Sequence, residues 1–336
     1  MNTGKSTIFK QISNEIGNKS YTKDEKLFYK KIIQHNILLS MFHLDVYFNE
    51  NLLNYKDEKL SNDLIKLEEM IKKENYYNIE KNFENFLPVS KRFFNESLVK
   101  ENLNSKFFDI VFLKNGFNKF QSTTYLPSNE DVLYTKSNIK NSKNFEFLFS
   151  EKNIKLFDVN GGKGERKKWI HIFDEVNILI FVTSISSIFE NDIESSSNSL
   201  LEDLNLFDGI VNSKFFVDTK IVLLFTGIDL FQEKLQNFNL NQIFENFNSK
   251  DPFRASEFLK LKFLQKIEEY DQKRIKSFFL NSFQNAHVNL IMRSILTNFE
   301  KTNQEIFDFR NYYFNNNLKK INLNDQLSDV NIFCQH

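Results

Sequence analysis

Long apolar runs are missing from this sequence. No stretch approaches the roughly 18 residues needed to cross a bilayer, and no signal-peptide pattern opens the chain. Cysteine is nearly missing: Cys334 is the single one, so no disulfide can form within the chain, which fits a reducing compartment. There is no excess charge of either sign. Lys plus Arg (44) equals Asp plus Glu (44), which removes the electrostatic case for nucleic-acid binding. Residue 2 is Asn rather than Gly, so the N-myristoylation signal is absent. A third metal ligand is missing as well: His35 and His43 lie two turns apart on one helical pattern with no further ligand at metal spacing. The expectation is a soluble, cytoplasmic protein without a transmembrane segment. What is abundant is Phe, at 39 residues, together with Asn, Lys and Ile. That general bias accounts for most Asn- and Lys-rich patches better than function does.

Against this background two short stretches carry chemistry. The first is Asn2-Thr3-Gly4-Lys5-Ser6-Thr7-Ile8-Phe9-Lys10-Gln11. G-K-S-T opening a helix is the second half of a phosphate-binding loop. There the Lys neutralises β- and γ-phosphates, the Ser hydroxyl ligates Mg²⁺, and the helix start favours anions. The second stretch begins as an apolar run, Ile154 to Val159, and ends in Asp158 and the pair Gly161-Gly162. A basic segment with the sole Trp follows, Lys163-Gly164-Glu165-Arg166-Lys167-Lys168-Trp169-Ile170-His171. A strand-end Asp can reach Mg²⁺ through water, and a Gly lets a backbone N–H approach a terminal phosphate. The basic segment is then free to order or disorder with that phosphate.

Between and after them the chain alternates in character. Thr22 is a candidate N-cap before an acidic first turn. Leu27, Ile32, Ile33, Ile37, Leu38, Met41, Leu44 and Tyr47 then recur at helical spacing. The segments 59–74, 77–86 and 90–103 are also helical in pattern. Beyond residue 150, Ile178–Thr183 and Lys220–Phe225 are buried-strand runs, and Ser199–Val211 and Val288–Phe299 are amphipathic helices. The Ser195-Ser196-Ser197 patch is a polar loop or helix start, and 311–336 is a polar tail.

The glycine pair and GERKKWIH resemble switch II of heterotrimeric G-protein α subunits, DVGGQRSERKKWIH, with ERKKWIH matching in full. GKSTIFKQ is similar to the phosphate loop of that family. Tyr125-Leu126-Pro127-Ser128-Asn129-Glu130-Asp131-Val132-Leu133 is similar to the Y-I-P-T-x-x-D-V-L that opens its switch I. The resemblance implies an α/β fold: a Ras-like P-loop GTPase domain (1–19 and 122–310) with an inserted all-α helical domain (20–121). It implies GTP or GDP with Mg²⁺ as cofactors. Nucleotide contacts fall on Gly4, Lys5, Ser6, Thr7, Leu133, Lys136, Asp158, Gly161, Gly162 and Asp229, and metal contacts on Ser6 and, through water, Asp158. G-protein βγ and a seven-helix receptor are the implied partners. They would hold the protein peripherally at the inner face of the plasma membrane, with the 288–299 helix in the place of the one shown to receptors.

The same comparison marks departures. The Arg that stabilises charge on the transferring phosphoryl group aligns with Lys136, which lacks the planar fork. The Thr that ligates Mg²⁺ aligns with Ile139, which cannot. The Gln that orients the attacking water aligns with Gly162, so hydrolysis is expected to be slow or lost. In Thr226-Gly227-Ile228-Asp229, against the family's N-K-K-D, only Asp229 remains to read guanine; Leu280-Asn281-Ser282-Phe283 replaces T-C-A-T. Only three residues precede Gly4, so the strand and first glycine of the loop are expected to be missing, as is the N-terminal helix. Either the chain is a shortened form of a longer one or it binds phosphate poorly. A nucleotide-independent binding module that engages βγ or an effector is the alternative function.

Overall fold

The computed structural model describes residues 3–73, 79–102, 117–120, 122, 124–135, 143–159, 176–191, 197–245, 247–267, 273–304 and 307–314. The chain divides into two compact units, 1–18 with 141–336, and 19–140. It opens on helix α1 (Lys5–Gln11), continued by a wider π-helical turn, Ile12–Ile16. Among the described residues no helix is long and apolar enough to cross a membrane.

Unit 19–140 contains α2 (Lys23–Glu50), α3 (Glu58–Lys73), α4 (Ile79–Asn95), α5 (Ser97–Asn102) and α6 (Asn129–Leu133), with no strand among the described residues. Helix α2 starts at a reciprocal capping box. The Glu25 amide donates to Thr22 Oγ1 (3.2 Å) and the Thr22 amide to Glu25 Oε2 (2.8 Å), satisfying two amides a helix start leaves unpaired. Ile33, Ile37, Met41, Leu44 and Phe48 then make one buried stripe, closed by Leu64 and Leu67 of α3 and by Phe93 and Phe94 of α4. Leu27, which helical spacing puts on that stripe, is exposed; the first buried apolar residues of α2 are Tyr29 and Ile32, which cluster with Tyr21 and Val132. Helix α4 runs straight through Pro88, where the sequence pattern places a break. Its apolar face, with Phe83 and Phe93 fully buried, outweighs the one backbone bond the proline removes.

Segment 124–135 belongs with this helical unit. The expected domain boundary at 121/122 therefore moves to 140/141. One tie is Asp131, which is fully buried. Its carboxylate accepts from the Tyr125 hydroxyl, from the Ser128 amide (2.8 Å) and from Ser128 Oγ (2.9 Å), and it pairs with the Lys119 ammonium. These partners hold its pKa below the usual carboxylate range against the opposing effect of burial.

In the other unit β1 (Lys143–Phe149) and β2 (Lys152–Asp158) form an antiparallel hairpin, and β3 (Ile178–Ser184) begins a parallel sheet. Helix α7 (Ser199–Val211) leads to β4 (Lys220–Thr226), α8 (Ile228–Leu235) and α9 (Pro252–Leu264). Strand β5 (Ile275–Phe279), α10 (Asn285–Thr297) and α11 (Arg310–Phe314) follow. The parallel sheet has the order β3-β4-β5. Central β4 shows the period-two rule on both faces. Ile221, Leu223 and Phe225 enter a core with Phe207 of α7 and Phe263 of α9. Val222 and Leu224 enter a second core with Ile8 of α1 and Ile291 and Ile295 of α10.

The expected 288–299 helix ends two residues early. Asn298 is extended, and Phe299 turns inward to join the second core. The polar tail expected from 311 begins later than that, since Tyr313 and Phe314 pack on the core; 315–336 lie outside the described residues.

Candidate functional site

Two local structures deliver the polar residues. Gly4 sits before α1 at φ +84°, a left-handed conformation that favours glycine. A Cβ there would come within 2.7 Å of Ser282 Oγ and 2.8 Å of Ser282 Cβ. The first turn of α1 then presents Lys5 and Ser6, with the neighbouring Thr7 half-buried. Strand β2 ends at buried Asp158.

These residues, more than 150 positions apart, meet. Lys5 Nζ forms an ion pair with Asp158 Oδ1 (2.9 Å) and donates to the Val159 carbonyl; Ser6 Oγ donates to Asp158 Oδ2 (3.0 Å). An ammonium, a hydroxyl and a carboxylate thus share one spot. That donor set fits an anionic ligand with Mg²⁺, a hard cation that takes one or two protein oxygens and leaves its other positions to water and phosphate. Among the described residues no cluster of three or more His, Cys, Asp or Glu offers a self-sufficient metal cage.

Behind this spot the loop around Gly4 is held by two neighbours. Thr226 Oγ1, at the end of β4, lies 2.7 Å from the Thr3 carbonyl and 3.3 Å from that of Thr183 in β3, so it ties the segment before Gly4 to the sheet. Gln11 Nε2 donates to the Ser282 carbonyl (2.7 Å). The protein matches the G-protein alpha subunit family model over residues 1–299. The chain belongs to the G-protein alpha subunit family. It is 28% identical to the guanine nucleotide-binding protein alpha-2 subunit of Caenorhabditis elegans over 306 residues, covering 86% of this chain and 82% of that protein. It is 30% identical to the G(o) subunit alpha of Lymnaea stagnalis over 282 residues, covering 78% and 75%. To the alpha-16 subunit of Caenorhabditis briggsae it is 29% identical over 285 residues, covering 81% and 76%. Membership carries with it a Ras-like GTPase domain together with a helical domain.

For this α-subunit family member the remaining site residues fall in three groups. Asp229 stands exposed in the first turn of α8. Leu133 is buried at the end of α6, inside unit 19–140. Lys136, Ile139, Gly161, Gly162 and Trp169 lie outside the described residues. At Gly227, φ +70°, a Cβ would lie 2.3 Å from Ser184 Oγ and 2.8 Å from Ser186 Oγ, and those hydroxyls are 2.9 Å apart. Two buried serines fill the room a longer side chain at 227 would need. The serine pair carries no motif of its own. Thr226 and Ser282 lie in the stretches aligned with N-K-K-D and T-C-A-T, and Gln11 is the last residue of GKSTIFKQ.

Proposed function

We propose that the protein is a guanine-nucleotide-binding signal transducer, a Ras-like domain carrying residues 19–140 as an inserted all-α domain, in which hydrolysis is slow or lost. The observation that carries this is the meeting of Lys5, Ser6 and Asp158 within about 3 Å. Lys5 would take the β- and γ-phosphates, while Ser6 and, through water, Asp158 would hold Mg²⁺. When bound, that ion supplies charge neutralisation at the phosphates. Gly161 would offer an amide to the terminal phosphate and Asp229 a carboxylate to guanine. A phosphate must first displace Asp158 from Lys5. An ion pair whose ammonium is a third exposed contributes about 0–1 kcal/mol, so the exchange lowers affinity by about fivefold at most. A polyphosphate with its metal can offset that loss. With Lys136 in place of the arginine and Gly162 in place of the glutamine, the rate deficit is of order 10³ or more. The relatives named above are guanine nucleotide-binding alpha subunits by name, which favours the same ligand here. βγ and a seven-helix receptor are the partners in this reading, and the cytoplasmic face of a membrane is the place.

One observation favours a second reading, a nucleotide-independent module for βγ or an effector. Asp158 satisfies both Lys5 and Ser6 from within the chain, and the serines fill the space beside Gly227. Titration of the purified protein with a non-hydrolysable GTP analogue and Mg²⁺ separates the two. Trp169, the sole tryptophan, lies eleven residues after Asp158, and its emission should change saturably. Unchanged emission with no nucleotide retained through purification would leave the binding module.

A further inference from the structure

The stretch that follows α10 belongs to no motif, yet it is built into the same unit as the Lys5–Asp158 site. The chain reverses at Asn298 and returns along α10. Near the end of that helix the Thr302 and Ser294 hydroxyls are 3.1 Å apart. Phe299 and Phe307 join the core that holds Ile291 and Ile295. Beside β5, an edge strand among the described residues, Gln304 Oε1 accepts from the Ser277 amide (2.9 Å) and Ser277 Oγ (3.0 Å), satisfying an edge N–H. At the start of α10 the Phe309 ring lies flat on His287, centroids 3.7 Å apart and planes within 11°.

Arg310 fastens the far end. It is 2% exposed, its guanidinium lies 4.2 Å from the Phe253 and Phe279 ring centres, and it pairs with Glu257 (2.6 Å) and Asp308 (2.5 Å). Moving so enclosed a cation out would cost it both carboxylates and both rings, Glu257 keeping only Lys260 (2.8 Å). The return stretch therefore grips α10 at both ends and β5 along its edge. The loop joining β5 to α10 is the one that carries Ser282. Its side chain leaves no room for a Cβ on Gly4, and its carbonyl is held by Gln11. Arg293 of α10 also donates to the Glu15 carbonyl (3.1 Å), in the turn that continues α1.

We propose that residues 299–304 and 307–314 form a strap that fixes α10, and through Ser282 the loop at Gly4, and so sets how slowly a bound guanine nucleotide leaves. Phe309, Arg310 and Gln304 are positioning residues: they touch no ligand and act through the Ser282 loop. The proposal rests on the reading of Lys5 and Asp158 as a nucleotide site. A strap differs from ordinary core in where its loss is felt. Opening confined to one cooperative segment raises exchange there and in what it holds, leaving the rest of the unit protected.

The test uses the full chain and its Phe309→Leu and Phe309→Ala variants, the Leu form keeping apolar volume while losing the flat face on His287. Hydrogen exchange in nucleotide-free protein should rise at least tenfold at 280–296 and at 4–12, with 199–211 unchanged. Release of a fluorescent GDP analogue should speed up at least tenfold. Faster exchange at 299–314 alone, with 280–284 and 4–12 as in the parent, overturns the strap. A uniform loss of protection across the unit, 199–211 included, also overturns it. If no form of the protein retains GDP but exchange spreads as expected, the mechanical coupling stands and the nucleotide assignment falls.

Discussion

His287 gives the sharpest measurable consequence of this packing. It is 1% exposed in the first turn of α10, its ring covered by Phe309 and its Nδ1 3.5 Å from the Tyr313 hydroxyl. Burial disfavours the imidazolium and lowers its pKa to about 4 from an ordinary 6.5. The unfolded chain therefore binds more protons than the folded one between those values. Stability is full above pH 6.5 and falls as pH drops toward 4. At about 1.36 kcal/mol per pH unit this interval corresponds to about 3 kcal/mol, a large part of the roughly 5–15 kcal/mol that folded domains have. Other groups titrate too. Asp63, Asp131 and Glu257 are held below the usual carboxylate range by their partners, so their contribution is lost as pH falls through those lowered values. Asp45, raised mainly by burial, acts in the opposite sense. The comparison with His287→Phe cancels all of these, because Phe keeps an aromatic face and cannot titrate. Urea denaturation from pH 7 to pH 4 should show the parent losing about 3 kcal/mol more than the variant. Proton NMR of the five histidines should show one ring, absent from the variant, that does not titrate above pH 5. Equal pH slopes for the two proteins, or a His287 resonance titrating near 6.5, would refute the reasoning.

Three further outcomes are expected. Lys136→Arg combined with Gly162→Gln should raise single-turnover GTP hydrolysis by a factor of order 10³; no gain in a protein that binds the nucleotide would show that other positions limit the rate. Thr226→Val keeps shape but removes the hydroxyl at Thr3, so it should cost about 1 kcal/mol in thermal unfolding and speed exchange at 4–12. Unchanged exchange there would mean that the tether is immaterial. Asp131→Ala leaves Tyr125, Ser128 and Lys119 without their shared acceptor, and should cost unit 19–140 about 2–4 kcal/mol, read as faster proteolysis within 119–135. Proteolysis at the parent's rate would count against that role.

What could be read from the sequence was what local rules determine. Thr22 and Glu25 three residues on are a helix start wherever they occur, and α2 begins there. The strand before Asp158 and the helix after Gly4 each follow from a short pattern, and their meeting follows from the family resemblance. The return of 299–304 and 307–314 could not be read, because Phe299, Phe307 and Phe309 follow neither a helical nor a strand period, and Arg310 looks like any surface arginine until its two rings and two carboxylates are assembled. The loops that should read guanine failed for a different reason. A motif records which side chain touches the ligand, and is silent about which one holds the loop in shape. Here the loops keep their shape through small hydroxyls: Thr226 bonds Thr3, Ser282 closes on Gly4, and Ser184 with Ser186 fills the space beside Gly227. Hydroxyls can replace a positioning group because any short donor of the right reach will do. They cannot replace an ammonium or a carboxylate, whose job is charge. That asymmetry accounts for a structure in which charged Lys5 and Asp158 meet directly, while small hydroxyls hold the loops at Thr3, Gly4 and Gly227.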